Sequence, residues 1–137
     1  MKIYIASHDQ VKARALKAEL LRHGHSVTSR WIDEEHLFPL GLGLNDPEYL
    51  SAIAEMDLFD IRAADTLILI SPSGEMAATG GRFVEMGYAL GQGKQVILLG
   101  EMSSVFGYLP QVMWVSDVQT LVRVLGKDGE RCLPSLH

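Results

Sequence analysis

A doubly wound α/β fold, one five-stranded parallel sheet in the order 2-1-3-4-5 with helices on both faces, is what this sequence predicts. Three observations lead there. The runs DTLILIS (65–71) and KQVILLG (94–100) are apolar for the length of a strand, as expected where a parallel strand is covered on both faces. Strand-like and helix-like patterns alternate along the chain, with no repeat and no separate linker. A length of 137 residues leaves room for a single core. Alternation implies right-handed crossovers, and in such a sheet ligands bind beyond the carboxyl ends of the strands, near the switch point between strands 1 and 3.

Each element has its own warrant. KIYIAS (2–7) is apolar, β-branched and aromatic, which suits a buried first strand. In VKARALKAELLRHG (11–24) Val11, Ala15, Leu16, Leu20 and Leu21 recur at helical spacing, and Gly24 is the stop. HSVTSRW (25–31) reads as the second strand. IDEEHLFPLGLGLND (32–46) has no period and holds Pro39, Gly41, Gly43 and Asn45, so it reads as a long loop, a length usually functional or disordered. Asp46 as N-cap and Pro47 at the first helical position open a helix that should run to about Ala64. Strand 3 (65–71), a helix over 80–92, strand 4 (94–100), a short strand VMWVS (112–116) and a last helix DVQTLVRVLG (117–126) complete the alternation. The expected domain spans 1–125, and the polar, irregular tail 126–137 is given no role.

Composition narrows the partners. Hydrophobic residues at 47% and charged residues at 21% are ordinary for a globular protein, and a net charge of -5 is no footprint for polymeric nucleic acid. A small anionic ligand stays open, because a few cationic or backbone N–H groups can hold it whatever the total charge. MKIYIAS runs straight into a strand pattern, without an apolar stretch long enough for a signal peptide or membrane span, so a cytoplasmic protein without membrane partners is expected. One cysteine, Cys132, cannot build a disulfide framework or a thiolate metal site, and His8, His23, His25, His36 and His137 lack zinc-ligand spacing. No metal or cofactor is expected.

Among the glycine-rich stretches, GLGLND lacks the strand–turn–helix context of a dinucleotide fingerprint, and GQGK ends a helix, where Gly91 or Gly93 serves as a C-cap. TGGR differs. It follows strand 3 and opens a helix, so the free N–H groups of Gly80, Gly81 and Arg82 point beyond the strand ends. Two glycines allow close approach of an anion and Arg82 adds a charge-assisted contact; a plain helix start is the alternative. Within that helix, TGGRFVEMGYAL, a single carboxylate, Glu85, sits among Phe83, Val84, Met86, Tyr88, Ala89 and Leu90. A surface pair with Arg82 one turn back is the simplest account. A partly buried carboxylate over an anion cradle is the other, and such groups are over-represented at active sites.

KIYIAS, EMDLFDIRAAD leading into an apolar strand, TGGRFVEMGYAL and GKQVILLG together resemble the nucleoside 2-deoxyribosyltransferase superfamily, nearest its 2'-deoxynucleoside 5'-phosphate N-hydrolase branch. The resemblance runs from residue 2 to about residue 100, and is most specific in the Asp-x7-Asp of Asp57 to Asp65 and the motif beginning at Glu85. It implies a doubly wound fold, action on N-glycosidic bonds, and dimers or larger homo-oligomers with shared sites. It makes Glu85 the nucleophile at the anomeric carbon and Asp57 the acid that protonates or orients the leaving base, the paired-carboxylate logic of a retaining glycosidase. By residue type alone Asp57 is a solvated helix residue and Tyr4 an ordinary strand aromatic; the resemblance makes Tyr4 a hydrogen-bond partner of the nucleophile. Ala6 and Ser7 would line the sugar pocket, and Thr79, Gly80, Gly81 and Arg82 would hold a 5'-phosphate. Trp31 is the candidate for stacking on the base, with simple packing as its alternative. The loop 32–46 would cover the base.

Two departures separate the branches. The transferases have a further acid shortly before the nucleophile, where this chain has Thr79-Gly80-Gly81-Arg82, and a late amide, whereas Asn45 is the one asparagine here. Hydrolysis is therefore the expected reaction, with base exchange and a non-catalytic nucleotide sensor as alternatives. The hydrolases supply a serine to the phosphate from the neighbouring subunit; Ser103 and Ser104 lie near that position without matching it, so nucleotide versus nucleoside stays open.

Overall fold

The chain is described by a computed structural model over residues 1–34, 46–71, 80–101 and 104–126. In order, the elements are β1 (Lys2–Ala6), α1 (Gln10–Arg22), β2 (Ser26–Val27), a 3-10 turn (Arg30–Asp33), α2 (Pro47–Arg62), β3 (Thr66–Ile70), α3 (Gly81–Gly91), β4 (Gln95–Leu99), a second 3-10 turn (Val105–Tyr108), β5 (Val112–Val115) and α4 (Val118–Leu125). The five strands form one sheet, β2-β1-β3-β4-β5, with every neighbouring pair parallel. The expected fold class and strand order are those observed.

The period of two along each strand splits the core into two layers. Ile3, Ile5, Ile68, Ile70, Ile97, Leu99, Met113 and Val115 pack with Ala13, Leu16 and Leu20 of α1 and with Leu121 and Leu125 of α4. The alternate residues, Tyr4, Ala6, Leu67, Leu69, Val96, Leu98 and Val112, pack with Ile61 of α2 and with Met86 and Ala89 of α3. Tyr4 pairs in register with Leu67, so its side chain is committed to the α2/α3 face, and a slip of one residue would send it to the other layer. That parity builds the site.

Helix starts follow local chemistry. Asp9, Asp46 and Asp117 cap α1, α2 and α4 with their carboxylates, accepting from the N–H of Lys12, of Glu48 and Tyr49, and of Thr120. The start of α3 has no side-chain cap, and Gly80 stands there at φ 85, a left-handed conformation that favours glycine. At the other end Gln92, rather than Gly91 or Gly93, is the C-cap, and Gly93 follows it at φ 73, where a left-handed turn after a helix favours glycine.

One element differs from expectation. The second strand was expected over 25–31, yet pairing with β1 stops at Val27 and the chain turns into the 3-10 turn that carries Trp31. Side chains replace the ladder. The Ile5 N–H donates to Ser29 Oγ (3.1 Å), the Trp31 indole N–H to the Ile5 carbonyl (2.8 Å) and the Thr28 hydroxyl to the Asp60 carbonyl (2.8 Å). Of the expected loop 32–46, Ile32 is fully buried, Asp33 closes the turn and Glu34 caps it; residues 35–45 lie outside the described residues, as do Thr79, Ser103, Cys132 and the tail from 127. Among the described residues, no helix is long and apolar enough to cross a membrane.

Candidate active site

Three elements bring three proton-bearing side chains together. Tyr4 comes from the middle of β1, Glu85 from the second turn of α3, and Asp57 from the third turn of α2. The Tyr4 hydroxyl donates a hydrogen bond to Glu85 Oε2, joining residues 81 apart in the chain. The surface pairing of Glu85 with Arg82 is not what the structure holds: Arg82 is itself buried, 4% exposed, and lies over the Phe83 ring at 4.7 Å. Asp57 is partly buried rather than solvated, and its Oδ1 is buried with no hydrogen-bond partner among the described residues.

Burial sets the electrostatics. Glu85 is pushed up from 4.5 to about 7, first by desolvation, against the Tyr4 hydrogen bond, which favours its charged form, and with the Asp57 charge adding to the rise. Asp57 is pushed up from 3.8 to about 6, again first by desolvation and then by the Asp60 carboxylate, with the Arg30 guanidinium opposing. Desolvation, followed by the charges of Glu85 and Asp57, drives Tyr4 above the ordinary phenol range, so it stays a donor. Two interacting carboxyls of this kind titrate as a pair, and between about pH 6 and 7 they hold a single proton. Glu85 is the higher of the two, so that proton rests mainly on Glu85, and the form suited to acid-assisted nucleophilic displacement, ionised Glu85 with protonated Asp57, is the minor one-proton tautomer of the pair.

Other expected residues sit around this centre in different ways. Ala6 ends β1, fully buried on the α2/α3 face. Ser7 is engaged in the turn into α1, its Oγ accepting from the Asp9 N–H at 2.9 Å. Gly80 and Gly81 have open space where a Cβ would stand, and Arg82 Nε and Nη1 are buried without hydrogen-bond partners among the described residues. Burial lowers the Arg82 pKa. A buried cation with unused donors beside an uncapped helix start is suited to an anion. Trp31 is half-buried, packs against both core layers and spends its indole N–H on Ile5, so its described contacts are those of packing. A cavity of about 450 Å³ lies on another flank of α3, lined by Phe83, Met86, Gly87, Leu90, Ser104 and Phe106, and Tyr4, Asp57 and Glu85 are not among its lining residues.

Sequence reasoning missed Asp60 and Arg30. Asp60 is 3% exposed and its carboxylate accepts from the Arg30 backbone N–H at 3.1 Å and from the guanidinium at 2.8–3.1 Å. A signal was available: Ile53, Asp57 and Asp60 fall at helical spacing on one stripe of α2, and two carboxylates on an inward stripe require an account.

No family model matches the chain, and no curated protein does. Solved structures do. A 2-deoxyribosyltransferase from Bacillus psychrosaccharolyticus superposes with a TM-score of 0.64 at 22% identity, over 88% of this chain and 90% of that one. The CMP N-glycosidase BcmB of Clostridium botulinum superposes with a TM-score of 0.58 at 16% identity, over 88% and 98%. The chain thus has the fold of a deoxyribosyltransferase and of a nucleotide N-glycosidase over nearly their whole lengths, with a tyrosine–glutamate–aspartate cluster against its sheet.

Proposed function

We propose that this protein hydrolyses the N-glycosidic bond of a (deoxy)nucleoside 5'-monophosphate in the cytoplasm, releasing free base and sugar phosphate. The observation that carries the reading is the partly buried Tyr4–Glu85 hydrogen bond with the Asp57 carboxyl close enough to act on both groups. The enzymatic activities named for the two structural relatives support action on such bonds.

In the first half-reaction a Glu85 oxygen attacks the anomeric carbon as the bond to the base nitrogen breaks. The bonding electron pair leaves with the base, and the Asp57 proton goes to it, giving a glutamyl-glycosyl intermediate. In the second, water attacks the same carbon, Asp57 takes its proton, and the Glu85 carboxylate departs. Tyr4 orients Glu85 throughout. Gly80, Gly81 and Arg82 take the 5'-phosphate, for which the unused Arg82 donors are the main support.

Base exchange is the second reading, favoured by the transferase among the structural relatives. We also propose a homodimer or larger homo-oligomer, because Val84, Val105, Phe106 and Tyr108 are all more than half exposed and offer apolar surface for a second copy. The deciding experiment is chromatographic detection of free base from a panel of nucleosides and their 5'-monophosphates, with wild type and Glu85→Ala. Release from monophosphates that Glu85→Ala abolishes is the expected result, and an added free base that becomes incorporated would favour the transferase. No release by wild type from any substrate would overturn the catalytic role of Glu85.

A further inference from the structure

We infer that Asp60 is a positioning residue: through its ion pair with Arg30 it clamps the turn bearing Trp31 onto α2 and sets where, and in what field, Asp57 works. The inference rests on the glycosidase reading for the use made of Asp57, and on geometry for the clamp.

The segment after β2 has lost its ladder and is held from two sides. On one side Ser29 and Trp31 bond to the backbone of Ile5. On the other, α2 holds the flanking residues, Thr28 through the Asp60 carbonyl and Arg30 through the Asp60 carboxylate, which takes the backbone N–H and the guanidinium together. Residues 28–31 therefore bridge β1, which carries Tyr4, and α2, which carries Asp57. Among the described residues Asp57 has no such tether. Its buried Oδ1 has no hydrogen-bond partner among the described residues, so its location follows from the α2 backbone that the clamp fixes one turn away.

The pair also shapes the charge around Asp57. The groups that act on it or that it acts on are Asp60 of the same helix, Arg30 of the turn, Glu85 of α3 and Tyr4 of β1. The two members of the clamp act in opposite directions: the Asp60 carboxylate favours protonated Asp57, and the Arg30 guanidinium favours its ionised form. Placed together, they hold an acid near neutrality while keeping the buried charge of Asp60 paired.

The opposition supplies a test that a purely structural ion pair would fail. Asp57 is followed by the 13C shifts of aspartate carboxyls during a pH titration of wild type, Asp60→Asn and Arg30→Gln, assigned with Asp57→Asn. The pH dependence of base release from 5'-monophosphates is measured on the same samples. Asp60→Asn should lower the Asp57 midpoint and Arg30→Gln should raise it, by about 1 pH unit each. Both should cut kcat about 10- to 100-fold with KM little changed, because the acid is displaced rather than the substrate lost. If Asp60→Asn does not fold, Arg30→Gln, at a side chain more than half exposed, and Arg30→Lys carry the test, with Arg30→Lys restoring most of the wild-type midpoint. Midpoints that move together, or that do not move, overturn the inference. A wild type that releases no base instead overturns the reading under which the clamp serves a reaction, and the carboxyl titration, which needs no turnover, tells the two failures apart.

Discussion

Replacing Glu85 with glutamine should abolish base release and, at the same time, make the fold more stable above neutral pH. Glutamine keeps the shape of the side chain and an oxygen for the Tyr4 hydroxyl, so the perturbation is loss of one titratable proton. In the folded protein Glu85 titrates at about 7, against an ordinary value of 4.5. A group whose pKa is raised on folding contributes its stability below the unfolded value and loses it as pH rises through the folded one. The window is therefore about pH 4.5 to 7. At about 1.4 kcal/mol per pH unit the loss is at most ~3 kcal/mol, and ~2 kcal/mol once the residual solvent contact of the side chain is allowed for. Urea unfolding of wild type and Glu85→Gln at pH 5 and pH 8 measures it. The advantage of the variant should grow by ~2 kcal/mol between the two, while base release falls at least 1,000-fold, as about expected for a lost nucleophile. Parallel stabilities at both pH values would show that Glu85 does not carry a raised pKa, and the burial argument for its role would fail with it.

Further outcomes follow from the same geometry. The pH profile of kcat/KM should be a bell with its maximum between about 6 and 7: below it both carboxyls are protonated and no nucleophile remains, above it both are ionised and no acid remains. Tyr4→Phe removes the hydrogen bond that favours charged Glu85, so the alkaline limb of that bell should move to higher pH and its maximum should fall, with a stability loss of about 1–2 kcal/mol by denaturant unfolding. Arg82→Met should raise KM for 5'-monophosphates about 10- to 100-fold and leave KM for nucleosides little changed, read by steady-state kinetics on both. Gly80→Ala meets open space but must hold φ 85, so it should cost about 1–2 kcal/mol through the backbone alone, measured by thermal unfolding.

Much of this protein was determined by local sequence. The apolar runs of β3 and β4 could only be strands covered on both faces, Asp46-Pro47 could only start a helix, and the glycines before Arg82 left a helix start without a side-chain cap. These follow from backbone preference and periodicity, which act over a few residues. Tyr4, Asp57 and Glu85 were legible as separate candidates, since each stands out from its neighbours by residue type. Their meeting was a matter of tertiary structure. Whether Tyr4 faces α2 and α3 or the opposite layer depends on a strand register set by pairing with β3, and whether Glu85 meets Tyr4 or Arg82 depends on which side of α3 the sheet covers. The segment 25–31 looked like a strand because its residues favour one, yet only Ser26–Val27 pair as one, and side-chain hydrogen bonds to Ile5 and Asp60 hold 28–31 out of the sheet instead. The burial of Asp60 against Arg30 belongs to the same class: a carboxylate is polar by type, and only the packing of one turn against one helix decided that it would be inside and paired.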